Sequence, residues 1–231
     1  NWHFMNRFTF FLWVLFLPVL VNAQEDFAPV GAEWYYSIGY GCCSGAGYQH
    51  FAVEKDTIYL GKSCKKVNVT RYDPSGEINN QYIFYTYNQN DSVLYSYDDN
   101  FYLLYDFNLN VGDTLKVRIP SDYYGIAFEY DDTIVTQTVS YIENTTINDL
   151  TLKRIYFDHP SYDFLVPYYE YYTEKLGGSD YFFPFEWEYT VEAIWPDFRC
   201  YSDSAFQYKL VSKCDELRPP EFINNYRSVI N

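Results

Sequence analysis

The stretch Phe101 to Val117, FYLLYDFNLNVGDTLKV, constrains this chain more than any other. A run of aromatic and aliphatic residues stops at an Asn/Gly/Asp turn and resumes as a shorter apolar run, with no i, i+3, i+4, i+7 pattern across it. Aromatic and β-branched side chains suit a pleated, half-buried surface. The stretch therefore predicts two strands joined over Asn108 to Asp113. Phe101 to Phe107 alternates too weakly for one face to be fully solvated, so it is expected to be a central strand covered on both sides.

The same pattern extends in both directions. Glu33 to Tyr40 predicts a first strand, and Tyr48 to Ile58 with Ser63 to Tyr72 predicts a hairpin around Tyr59-Leu60-Gly61-Lys62. Asp73-Pro74-Ser75-Gly76 is a turn in which proline presets φ and glycine takes the tight position. Gln81 to Asn88 and Ser92 to Tyr97 lead into the central stretch. Thr114 to Ile119, a second hairpin, and Tyr168 to Leu176 ending at Gly177-Gly178 follow it. A faint echo links the hairpins, with Glu54 to Ile58 and Lys65-Lys66-Val67 matched by Glu143 to Ile147 and Lys153-Arg154-Ile155; shared hairpin chemistry accounts for it as readily as duplication. The expected fold is all-β, a single antiparallel meander sheet of about ten strands curled into a partly open barrel or two-layer sandwich. It is expected over residues 24–215, with 216–231, which hold Pro219-Pro220, as a linker or disordered tail.

Residues 1–23 read as a signal peptide. Arg7 supplies the positive n-region, Phe8 to Val21 is almost wholly apolar, and Val21-Asn22-Ala23 offers small residues for cleavage. The expected localisation is secreted or outer cell surface, with no transmembrane segment in the mature chain. The formal charge of the whole chain is −15, and losing Arg7 makes the mature chain one unit more negative. That sign argues against nucleic acid and anionic membrane surfaces as partners, since both require Lys/Arg neutralisation.

In an oxidising compartment the cysteines Cys42, Cys43, Cys64, Cys200 and Cys214 can pair. Cys200 with Cys214 is expected, because the residues between them read as a turn and a strand that bring the two together. Closing a loop of that length stabilises by about 3 kcal/mol in the chain-entropy model. Cys64 is then expected to pair with Cys42 or Cys43; neighbours on a strand point to opposite faces, so only one of those two can face it. No metal site is expected: His50 and His159 are not at ligand spacing from a cysteine pair. Asp98, Asp99, Asn100, Asp106, Asn108, Asn110 and Asp113 offer oxygen ligands, but ordinary turn chemistry covers the same residues.

Aromatic residues make up 23% of the chain, with 28 tyrosines. A core of this size cannot hide them all. Tyr85, Tyr87, Tyr95, Tyr97, Tyr169 and Tyr171 are the candidates for a contact face. The enzyme candidates are Glu186 and Glu188, with Glu192 beyond them: carboxylates two apart on a strand lie ~7 Å from each other, a usable separation for a glycosidase pair. Against this, Glu186, Glu188, Thr190 and Glu192 alternate with Trp187, Tyr189, Val191 and Ala193, as in any half-buried strand. The segment also resembles the E-x-D-x-x-E motif of laminarinase-like glycoside hydrolases, with Glu in second place and the third acid one residue further on.

Several patches together resemble a known group. Glu54 to Ile58 with Gly61 to Lys66, Phe101 to Phe107 with Gly112-Asp113-Thr114, Glu174 to Gly177, Phe182-Phe183-Pro184, and Arg199-Cys200-Tyr201 with Cys214-Asp215 are similar to the N-terminal ectodomains of Bacteroidota proteins exported by type IX secretion. The resemblance implies a secreted or cell-surface domain and contributes no catalytic residues. Members carry a C-terminal sorting domain, for which the residues after Cys214 are too few. The expected function is non-enzymatic binding of a glycan or an extracellular protein through the aromatic face, by a monomer without cofactor. The alternatives are a secreted glycoside hydrolase using Glu186 and Glu188, and a structural spacer for a missing sorting domain.

Overall fold

The central stretch is where the chain changes sheets. The structure, a computed structural model, describes residues 27–39, 46–119, 133–158, 170–179, 181–183 and 197–217. Among them the chain is all-β, with no helix. The first six strands are β1 Glu33–Gly39, β2 Ala46–Tyr59, β3 Lys62–Tyr72, β4 Ile78–Gln89, β5 Ser92–Tyr97 and β6 Asn100–Asp106. They form an antiparallel meander. At its other edge it is extended by β12 Asp197–Ser202 and β13 Gln207–Lys209, giving the order β13-β12-β1-β2-β3-β4-β5-β6. A second, five-stranded sheet runs β11-β10-β9-β8-β7, from β7 Thr114–Ile119, β8 Thr133–Ile147, β9 Leu150–Phe157, β10 Tyr171–Thr173 and β11 Gly177–Gly178. All pairings are antiparallel, and one sheet curls into a half-barrel.

Three expectations need correction. The single sheet is two sheets, because the turn after Phe107 carries the chain out of the first one. Consequently β6 ends the order of the large sheet and is not central. Its cover comes from the opposing layer: Tyr105 and Phe107 meet Tyr172 at 5.2 and 5.3 Å between ring centres. Of the strand expected over Tyr168 to Leu176, Tyr168 and Tyr169 lie outside the described residues, and the described part is a strand only over Tyr171–Thr173, since Lys175 takes a positive φ of 63° in the turn that follows.

The turns form for local reasons. Leu60-Gly61, Asn90-Asp91, Asp98-Asp99 and Asn148-Asp149 each place two consecutive residues at positive φ, which closes a two-residue hairpin with the twist its strands need. Asn and Asp tolerate that region better than most side chains. Asp73 Oδ1 accepts hydrogen bonds from the backbone N–H of Ser75 and Glu77, fixing the longer β3–β4 turn.

Between the layers lies a nearly continuous aromatic core. Phe182 stacks on Phe51 at 4.6 Å and stands edge-on to Trp34 at 5.3 Å. Trp34, Tyr36, Phe51, Tyr105, Tyr172 and Phe182 are all buried. Burying rings this polar is tolerable only with their polar atoms paired. Trp34 Nε1 donates to the Lys175 carbonyl, and the Tyr105 hydroxyl donates to the Phe182 carbonyl while accepting from Gly178 N–H. Gly177 is required here: its φ is +78°, and a Cβ would sit 2.7 Å from the Tyr105 hydroxyl.

A buried ion pair and a buried guanidinium tie the ends together. Lys175, after β10, reaches Asp203, after β12, at 3.0 Å, which joins the small sheet to the large one. Arg199 donates to Ser37 Oγ and to the carbonyls of Gly47, Cys214 and Glu216. Gly47 admits no side chain, since a Cβ would lie 1.9 Å from the Tyr72 carbonyl oxygen. Cys200 and Cys214 form the expected disulfide, with Cα atoms 5.7 Å apart. Glu216 is thus held against the domain, and residues 218–231 lie outside the described ones.

Candidate ligand-binding surface

The six tyrosines singled out by sequence do not form one face. Alternation along β4 sends Phe84 and Thr86 inward and leaves Tyr85 and Tyr87 half-buried on the outer face. Register then separates β5 from them. Tyr95 lies opposite the buried Thr86, so it points inward, is itself buried, and packs on Phe183 at 5.2 Å. Tyr97 follows it, packing against the core edge near Tyr102. Tyr171 belongs to the other sheet, and Tyr169 lies outside the described residues.

The outer face of the large sheet instead carries a closed corner. Tyr59, from the end of β2, reaches over β3 and stacks on Tyr85 of β4 at 4.0 Å and 14°. Phe101 of β6 stands edge-on to Tyr59 and to Tyr87, at 6.1 and 4.7 Å. The Tyr59 hydroxyl donates to Asp99 Oδ1 at 3.0 Å, which raises the phenol's pKa, and Lys62 Nζ stands 5.6 Å from the centre of the Tyr87 ring. Beneath these rings, opposite Thr57, sits Cys64, only 2% exposed. Its thiol is free, donates to the Lys62 carbonyl, and is pushed up in pKa by burial.

The expected bridge from Cys64 to Cys42 or Cys43 is therefore corrected. Both cysteines lie outside the described residues, but chain length settles the matter. Thr57, opposite Cys64, is eleven residues along β2 from Ala46, or ~36 Å of extended strand. The residues from Cys42 to Ala46 can span at most ~14 Å.

On the small sheet the rings are arranged differently. β9 buries Leu152, Ile155 and Phe157. Tyr156 falls between the last two and faces away from Tyr172 and the core. It pairs directly with Tyr141 on β8 and Tyr171 on β10. The three rings form one row across three adjacent strands, with centres 5.7 and 5.1 Å apart and planes tilted by 41° and 48°. Tyr141 is 55% exposed; Tyr156 and Tyr171 are half-buried. A bulge between Val139 and Tyr141 is what turns Tyr141 outward.

Polar groups hold this row in place. The Tyr156 hydroxyl donates to Glu143 Oε1 at 2.9 Å, and Arg154 reaches the same oxygen at 3.5 Å. Arg154 Nε donates to Thr173 Oγ1, and its guanidinium lies 4.6 Å from the centre of the Tyr171 ring. Burial works against the Arg154 charge, but the Tyr156 hydroxyl, Tyr171 and Glu143 outweigh it and raise its pKa. Exposed Asp158 and Glu170 stand just after β9 and just before β10.

The remaining candidates do not assemble. Glu186, Glu188, Glu192 and His159 lie outside the described residues. His50 is stacked on Tyr35 at 4.3 Å, with Nε2 3.6 Å from Glu33 Oε1. Asp106 and Asp113 spend their oxygens on the turn itself, accepting from Asn108 and Asn110 backbone N–H groups. Among the described residues no three His, Cys, Asp or Glu side chains converge as a metal site.

Tyr141 and Tyr156 escaped the sequence reading, yet a signal for them exists. Counting outward from the two-residue turn Asn148-Asp149 places them opposite each other. No family model, no curated protein and no solved structure matches the chain.

Proposed function

We propose that this chain is a non-enzymatic secreted or cell-surface domain that binds a glycan or an extracellular protein through the outer face of its small sheet. The row Tyr141, Tyr156 and Tyr171 carries the reading. Glu143 holds Tyr156 and Arg154 holds Tyr171, so little ordering entropy remains to be lost at those two rings on contact. Tyrosine combines an apolar face with a hydroxyl, which suits a ligand that is apolar on one side and polar on its rim. The Cys200–Cys214 disulfide fits an oxidising compartment. Among the described residues no helix is long and apolar enough to cross a membrane. The resemblance to exported ectodomains supports the same placement.

The test is an array of glycans and extracellular proteins probed with the wild-type chain and with Tyr156→Ser. The reading expects at least one wild-type signal that the variant loses. Signals that persist unchanged in the variant count against it.

A further inference from the structure

From the row Tyr141–Tyr156–Tyr171 we infer the ligand class: an extended, uncharged polysaccharide of pyranose units that lies across strands β8, β9 and β10, along the row of rings. The inference rests on the binding role proposed above and gives that role its chemistry.

Strict register makes the row linear. Tyr141 and Tyr171 both pair with Tyr156, so the three side chains leave the sheet along one line perpendicular to the strands. Centre-to-centre steps of 5.7 and 5.1 Å are close to the rise of one pyranose along an extended chain. A sugar ring presents axial C–H groups to an aromatic face and hydroxyls at its rim. The rim here meets donors and acceptors already held in position: the Tyr156 hydroxyl, the Glu143 carboxylate and the Arg154 guanidinium.

Charge narrows the class. Arg154, the cation beside the row among the described residues, is engaged by Glu143, Thr173 and the Tyr171 ring, while Asp158 and Glu170 stand exposed nearby. A uronate or sulfated chain would bring its charges toward carboxylates on a protein of net charge −15. A neutral chain meets no such penalty. The large-sheet corner cannot offer the same service, because Tyr59 and Tyr85 already cover each other's faces.

The experiment is a calorimetric titration of the full chain with β-1,4-linked gluco-, xylo- and manno-oligosaccharides of two to six units, and with hexagalacturonate as the anionic control. Affinity is expected to rise from two units to three and then level off, with hexagalacturonate at least about tenfold weaker than the neutral hexamers. Tyr141→Ala and Tyr156→Ala should each weaken binding about three- to tenfold. Tyr85→Ala, on the other sheet, should leave it within about twofold. Equal affinity for the anionic hexamer, no dependence on length, or insensitivity to both alanine variants overturns the ligand class. If no oligosaccharide binds but an extracellular protein does so in a Tyr156-dependent way, the ligand class fails while the binding role stands. If no ring variant alters any binding, both fail.

Discussion

Two outer surfaces of this protein are built from the same material and end in opposite states. On the large sheet, Tyr59, Tyr85, Tyr87 and Phe101 turn their faces and edges to one another and close over Cys64. On the small sheet, Tyr141, Tyr156 and Tyr171 stand side by side and leave Tyr141 more than half exposed. The supporting hairpins are alike. Both turn through two residues at positive φ, and both set a glutamate against a base, Glu54 with Lys66 at 2.6 Å and Glu143 with Arg154 at 3.5 Å. The difference lies in which lattice positions hold rings. In the large sheet they sit diagonally, so a long side chain can cross β3 and stack. In the small sheet they sit in one register row, and there the rings are tilted by 41° and 48° to one another instead of stacked. Aromatic content alone therefore does not decide whether a patch of rings closes over itself or stands open.

The comparison presumes that both sheets belong to one cooperative body, and the joint between them is the largest effect to test. Asp203 is buried, which alone would raise its pKa, yet hydrogen bonds from Tyr201, Ala205, Lys175 and Phe206 outweigh this and hold it below the usual range. Lys175→Met removes the counter-charge from that carboxylate while Tyr201, Ala205 and Phe206 still donate to it, and should cost about 2–3 kcal/mol in urea unfolding. A single transition with a lowered midpoint is expected; two separated transitions would break the premise of one body.

The next contrast is between the clusters themselves. Tyr85→Ala removes a stacked, half-buried ring and should destabilise the fold by about 1–2 kcal/mol. Tyr141→Ala, at the open end of the row, should stay within about 0.5 kcal/mol. Equal losses from the two would erase the distinction between a closed and an open cluster. The Cys64 thiol gives a second probe of closure. It should resist maleimide in the native wild type, both because the corner covers it and because burial keeps it protonated, and Tyr85→Ala should speed labelling several-fold.

A smaller effect concerns a third spot on the large sheet's outer face. Burial lowers the His50 pKa from its ordinary 6.5, with the Glu33 carboxylate only partly offsetting it. The folded state then binds the proton less readily than the unfolded state does. Stability should be intact above about pH 6.5 and decline as the pH falls below it. His50→Gln should flatten that part of the stability profile, as read by thermal melts between pH 7.5 and 5.

Much of the fold could be read from local chemistry. The strands Ser92–Tyr97 and Thr114–Ile119, and the turns at Leu60-Gly61 and Asp73 to Gly76, follow from alternation and turn residues alone. The Cys200–Cys214 bridge was legible because its loop is short. What alternation cannot give is the absolute face. Tyr85 and Tyr95 look equivalent by composition, yet counting from the turn Asn90-Asp91 pairs Tyr95 with Thr86 and sets the two tyrosines on opposite sides. Sheet membership was equally hidden, because whether β7 continues one sheet or starts another depends on long-range packing around Tyr172 and Phe182. For the same reason Tyr171 gained its partners, Tyr156 and Tyr141, only once the strands were paired.

The central claim is that the open row, and not the closed corner, meets the ligand. Chemical-shift mapping of the wild-type chain against a neutral β-1,4 hexasaccharide tests it with no variant to refold. The account predicts perturbations centred on Tyr141, Tyr156 and Tyr171, with Tyr59, Tyr85 and Tyr87 unmoved. Perturbations centred on Tyr59 and Tyr85, or none at all at saturating sugar, would contradict it.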